Sequence, residues 1–121
     1  MKIGVLMLNF GEPENPTLDE VIPFLERIFA RNSSLESDKD SGRARKLAEA
    51  RAPGLIEEYK QIGGSPLARQ ARKQVRTVEG ILRRRGLHLQ CYSGMQFTEP
   101  SVATVVAEAQ AAGIEQLVAL P

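Results

Sequence analysis

Few residues of this chain have the type and spacing to do chemistry. His88 is the only histidine and Cys91 the only cysteine. His88 has no second ligand at metal-site spacing and reads as a surface or half-buried strand residue, while Cys91 reads as a small apolar side chain in the same strand. The sequence therefore assigns no catalytic residue and no metal ligand. Gly63-Gly64-Ser65-Pro66 precedes a helical stretch, where free amides could cradle an anion. That loop does not directly follow a strand and lacks the Gly-x-x-x-x-Gly-Lys-Ser/Thr pattern, which disfavours a nucleotide site. A capped helix start is the plain alternative. Phe10 follows a buried strand and reads either as core or as an apolar ligand contact. Gly11 and Pro13 suit a tight turn that brings backbone close to a ligand, or an ordinary loop. Arg83-Arg84-Arg85 closes a helix, where cations favour the macrodipole.

These residues need a frame. Ile3 to Leu8 is continuously apolar, is too short for a helix, and predicts a central strand buried on both faces. Thr17 and Glu20 have capping-box spacing ahead of Val21, Ile22, Phe24, Leu25, Ile28 and Phe29, although Pro23 removes an amide early in that helix. Residues 32–42 are rich in Ser, Asp and Gly and are expected to form an exposed, mobile loop. Arg43 to Ala50 predicts a helix that Pro53-Gly54 breaks, with a second short helix over Leu55 to Ile62. Ser65-Pro66 starts a long amphipathic helix with Leu67, Ala71, Val75, Val78, Ile81 and Leu82 on its apolar face and a stop at Gly86. Leu87 to Ser93 alternates like a strand, Glu99-Pro100-Ser101 opens an Ala- and Val-rich helix that stops at Gly113, and Gln116 to Leu120 is a third strand.

This order predicts parallel pairing through right-handed crossovers, hence a three-layer α/β fold with a parallel sheet, half of a flavodoxin-like or chelatase-like unit. One domain over residues 1–121 is expected. The third strand runs straight into Pro121, where a ligand loop is expected at its carboxyl end, so truncation is expected as well.

Composition narrows the function classes. Sixteen Lys and Arg against fifteen Asp and Glu give a net charge of +1, so no whole-chain field favours nucleic acid or an anionic membrane. A single cysteine excludes an intrachain disulfide framework and suggests a reducing compartment. The apolar run after Lys2 is shorter than a signal h-region, and no stretch is long enough to span a bilayer, so a cytoplasmic location is expected.

Four ordered motifs carry a family resemblance. Leu6-Met7-Leu8-Asn9-Phe10-Gly11-Glu12-Pro13 resembles the opening motif of ferrochelatases, which insert ferrous iron into a porphyrin. Pro23-Phe24-Leu25 with Arg31-Asn32 resembles the family's helix at the porphyrin cleft. Tyr59-Lys60-Gln61-Ile62-Gly63-Gly64-Ser65-Pro66-Leu67 resembles its Tyr-x-x-Ile-Gly-Gly-x-Ser-Pro-Leu signature, and Tyr92 to Pro100 its later strand-loop-helix junction. The signature is one residue shorter here, and Gln96 stands where the family commonly has Arg or Lys.

The resemblance implies a porphyrin as partner, protoporphyrin IX or coproporphyrin III, with Fe2+ as the parent enzyme's substrate metal and no cofactor in this chain. It implies porphyrin contacts from Phe10, Gly11, Pro13, Ser65, Gln96 and Phe97, and propionate contacts from Arg27 and Arg31, whose bland alternative is a solvated helix face. The family's catalytic His, in a Ser-x-His-Gly context, and its catalytic Glu lie beyond position 121, so the chain is expected to be inactive alone. Expected further partners are the missing C-terminal portion or a second copy. The competing readings are an inert or partner-completed half-domain and, less favoured, a small nucleotide-binding module.

Overall fold

The structure, a computed structural model, describes residues 1–33 and 42–121. Most of the loop expected to be mobile, residues 34–41, lies outside the described residues. The elements run β1 (Ile3–Asn9), α1 (Leu18–Ser33), α2 (Arg43–Gln61), α3 (Leu67–Arg84), β2 (Gln90–Met95), α4 (Val102–Ala111) and β3 (Gln116–Leu120). They form two compact units: Met1–Gly11 with Leu67–Pro121, and Glu12–Pro66.

The first unit holds a three-stranded, all-parallel sheet in the order β2-β1-β3. The apolar run at the amino terminus is thus the central strand, as its lack of alternation implies, and Val5 and Leu6 are buried. Chain direction reverses across β1, and right-handed crossovers then put α3 and α4 on opposite faces. Strand alternation agrees: Met7 and Val78 of α3 line one trough, whereas a Cβ on Gly94, which pairs with Leu8, would lie 3.2 Å from Val102 of α4. The result is the three-layer α/β arrangement. Ala71 of α3 and Val105 and Ala109 of α4 are buried. The Cys91 amide donates to Glu79 Oε2 at 2.8 Å, so a helix carboxylate satisfies an amide on the β2 strand.

Strand β2 begins three residues later than Leu87 to Ser93 predicts and extends to Met95. Leu87 and His88 are exposed and precede the ladder, which starts where Gln90 meets Gly4. Ser101 caps α4 by accepting from the Thr104 amide at 3.1 Å.

The second unit is the helix pair α1 and α2, which pack on each other. Val21, Phe24 and Leu25 are buried on α1, and Ala48 and Ala52 on α2. Burying each large apolar side chain contributes about 1.5–3 kcal/mol, and the two alanines leave room for close approach. The predicted break at Pro53-Gly54 does not occur: α2 is continuous from Arg43 to Gln61. Pro53 is exposed, as is Glu49, whose carbonyl loses its helical donor, so water can satisfy that group. Pro23 is likewise accommodated inside α1. The Thr17 carbonyl accepts from the Glu20 and Val21 amides, but the Glu20 carboxylate receives the amides of Glu14 and Asn15, both at 3.2 Å. Glu20 therefore ties down the loop before the helix instead of closing a capping box on Thr17.

Candidate functional site

At the carboxyl end of the sheet the β1–β2 ladder continues past the regular strands. The Gln96 amide donates to the Asn9 carbonyl at 3.0 Å and the Phe97 amide to the Phe10 carbonyl at 3.0 Å. The Phe10 amide instead meets its neighbour's side chain, Asn9 Oδ1, at 3.0 Å. This extension places the two phenylalanines side by side, with ring centroids 4.6 Å apart in an edge-to-face arrangement. Phe97 is buried at 6% exposure and anchors the pair, while Phe10 is 50% exposed and presents an apolar face. Gln96, beside them, is exposed. Sequence left open whether Phe10 is core or contact surface. Its exposure makes it surface backed by a core aromatic.

Gly11 follows with φ +88, a conformation that costs any L side chain dearly. It is buried, and a Cβ there would collide with Thr98 Oγ1 and lie 3.2 Å from Met95 Cβ. Only glycine lets the chain leave β1 this close to the β2–α4 junction. That junction is closed by the Met95 amide donating to the Pro100 carbonyl at 2.9 Å.

The other predicted contacts belong to the helical unit. Pro13 and Ser65 are buried, and Arg27 and Arg31 are exposed on α1. The Gly63-Gly64 turn uses positive φ at both glycines, 77 and 93. The Ile62 and Gly64 amides donate to the Tyr59 carbonyl, and the Gly63 amide to that of Lys60. These three amides are thus spent on the end of α2, so the turn offers no phosphate cradle built from them, and the nucleotide reading loses its main feature.

Ser65 Oγ donates to the Glu12 carboxylate in a short hydrogen bond. The sequence quotes Glu12 inside the opening motif, yet 53 residues separate the pair, and no local pattern signals it. Tyr59 lies in the field of the same carboxylate: partial burial pushes its phenol above the ordinary value, and the charges of Glu12 and then Glu58 add to the shift. Glu12, Ser65 and Tyr59 form a polar corner that sequence reasoning did not single out.

His88 lies two residues before β2, at the amino-terminal end of that strand and opposite the end that leads to Phe97. Burial raises the Cys91 thiol, and Glu79 raises it further, so it stays protonated near neutral pH. Among the described residues no cluster of three His, Cys, Asp or Glu side chains is disposed to hold a metal, and no helix is long and apolar enough to cross a membrane.

An open parallel sheet with helices on both faces and an aromatic pair at the strand carboxyl ends defines an α/β protein of the class that binds its ligands at that end. The ferrochelatase family model matches residues 2–121, and the chain belongs to that family. It is similar to the ferrochelatase of Synechococcus elongatus (strain ATCC 33912 / PCC 7942 / FACHB-805), 36% identical over 99% of this chain and 32% of that protein. The ferrochelatases of Synechococcus sp. (strain CC9311) and Prochlorococcus marinus (strain MIT 9515) are each 33% identical, over 99% of this chain and 31% of theirs. The chain thus spans about a third of the length of the curated relatives it matches.

Proposed function

We propose that this chain supplies part of the porphyrin-binding wall of a ferrochelatase that inserts ferrous iron into protoporphyrin IX or coproporphyrin III. The observation that carries the reading is the Phe10–Phe97 pair, a half-exposed aromatic on a buried one at the carboxyl end of the sheet. A porphyrin is a broad apolar disc, and an aromatic face held rigidly by ladder hydrogen bonds is a suitable surface for it. Gly11 keeps the backbone turn behind Phe10 tight, and Gln96 is a neutral polar neighbour. Pro13, Ser65, Arg27 and Arg31 join the reading through the family resemblance, the arginines as partners for propionates.

Metal insertion also releases the two pyrrole protons, which need a base near the ring. His88 precedes β2, at the end of that strand away from the aromatic pair, so we assign the chain recognition and no acid–base step. Fluorescence titration of protoporphyrin IX with wild-type chain and with Phe10→Ala tests this. Saturable binding that weakens about 10-fold or more in the variant is expected if Phe10 is an anchor of the contact, because truncating such a residue costs about 2 kcal/mol or more and about 1.4 kcal/mol is already tenfold. Equal binding by both proteins would remove the ledge from the site.

A further inference from the structure

The two edges of the sheet are finished differently. On β2 the Cys91 amide donates to Glu79 Oε2 at 2.8 Å, and the Met95 amide donates to the Pro100 carbonyl at 2.9 Å. These two amides lie on one side of the strand, because their residues are an even number of positions apart. An isolated parallel bridge from Met95 to Ser101 lays the chain's own next segment along the same edge. Both ends of the β2 edge are therefore occupied, and Glu79 places a charge across it.

Strand β3 has none of these devices. Among the described residues it pairs with β1 alone, in a regular register from Ile3–Gln116 to Met7–Leu120 that holds no bulge. The strand Gln116-Leu117-Val118-Ala119-Leu120 contains no Asp, Glu, Lys, Arg or Pro. Val118 is 47% exposed and Leu120 41%. An apolar strand of the kind that parallel sheets bury thus stands at an open edge.

Charge decides what fits there. No Lys or Arg occurs after Arg85, so neither β3 nor α4 offers a cation to an acidic partner. An identical neutral strand meets no repulsion at this edge. The cations of α3 do not oppose a second copy either, because α3 packs against β2, on the far side of β1 from β3. With β3 of both copies between them, the two β1 strands would stand roughly 14 Å apart, beyond the Debye length of about 8 Å at physiological ionic strength.

We propose that β3 pairs antiparallel with β3 of a second copy about a two-fold axis, joining two three-stranded sheets into one of six. With the axis at Val118, the two Val118 side chains are neighbours, and Leu120 lies opposite Gln116 of the other copy. The capped β2 edges then form the outer ends of the sheet, so association stops at two copies instead of running on into fibres. This inference uses none of the residues of the aromatic ledge and stands apart from the porphyrin reading.

Sedimentation velocity of the full chain across the micromolar to millimolar range is the test. A monomer–dimer equilibrium with nothing larger is expected. Val118→Lys should weaken the dimer about 10-fold or more by setting like charges opposite each other. Ile62→Lys, at a 68% exposed position of the helical unit, should leave it within a few-fold of wild type. Glu79→Ala releases the Cys91 amide and should add species larger than the dimer. Circular dichroism verifies that the variants keep their fold. A monomer throughout the range would leave the edge to a different partner and overturn the proposal. So would a dimer equally sensitive to both lysine variants, wild-type assembly beyond two copies, or a Glu79→Ala chain that still stops at the dimer.

Discussion

Replacing Gly11 with alanine tests whether the turn behind Phe10 is as tightly determined as the geometry implies. The left-handed conformation costs an alanine about 1–2 kcal/mol. The added Cβ would also meet Thr98 Oγ1 and Met95 in a buried position, and overpacking of that kind costs about 1–3 kcal/mol. Lower entropy of the unfolded chain returns about 0.4–1 kcal/mol. The net expectation is a loss of about 1–5 kcal/mol, measured by urea denaturation followed by circular dichroism at constant m-value. Thr98→Ala separates the two causes, because it removes the hydroxyl in the way and leaves the backbone strain. The double variant should therefore be more stable than additivity allows, by about 1 kcal/mol or more. A Gly11→Ala chain within about 0.5 kcal/mol of wild type would refute the close approach, and so would strict additivity with Thr98→Ala.

Three further outcomes follow from the same structure. In Glu12→Gln the Tyr59 phenol should titrate at lower pH than in wild type by ultraviolet difference spectroscopy, because one of the charges that raises it is gone; an unchanged titration would dissolve the polar corner. A raised phenol stabilises the fold below its unfolded value of 10.0, and this contribution is lost as pH rises through the folded value, so the variant should show a weaker alkaline loss of stability. The purified chain should give no iron or zinc porphyrin above the uncatalysed rate in an absorbance assay, and measurable turnover would defeat the assignment of recognition alone. Val118 and Leu120 leave apolar surface exposed on β3, so light scattering should show concentration-dependent association that Leu120→Lys reduces, and identical scattering by both would clear that strand.

Much of the fold was legible because its signals are local. The unbroken apolar run specified a central strand, the Gly86 and Gly113 stops ended α3 and α4, and the Glu99-Pro100-Ser101 segment opened α4, with Ser101 as its cap. The misplaced start of β2 has a different origin. Leu87, Leu89 and Cys91 alternate correctly, but alternation cannot say where a neighbour begins to pair, and the ladder starts at Gly4–Gln90. Its far end runs through Gly94, which a propensity argument demotes, and which the sheet uses because Val102 packs against its backbone. The uninterrupted α2 reflects tertiary override: Ala48 and Ala52 are buried just before Pro53, while the proline and its freed carbonyl stay on the wet side. The candidate site divides the same way. Phe10 and Gly11 follow a strand signal and could be named from it, Phe97 enters only through the family resemblance, and the Glu12–Ser65 bond joins distant positions and is visible only in three dimensions.

The placement of proton acceptors decides how far the functional reading extends. The sole histidine lies at the wrong pole of the sheet. Glu99, beyond Phe97, accepts the Ser101 amide at 3.0 Å and so helps to hold the start of α4. Glu12 already receives the Ser65 hydroxyl. Glu12 and Glu99 are thus each held by a neighbouring donor, whereas Phe10 on Phe97 offers an apolar surface held by ladder hydrogen bonds. On the reading proposed above, the chain's part is to bind and orient the porphyrin, and the family resemblance puts the His and Glu of the proton chemistry beyond position 121.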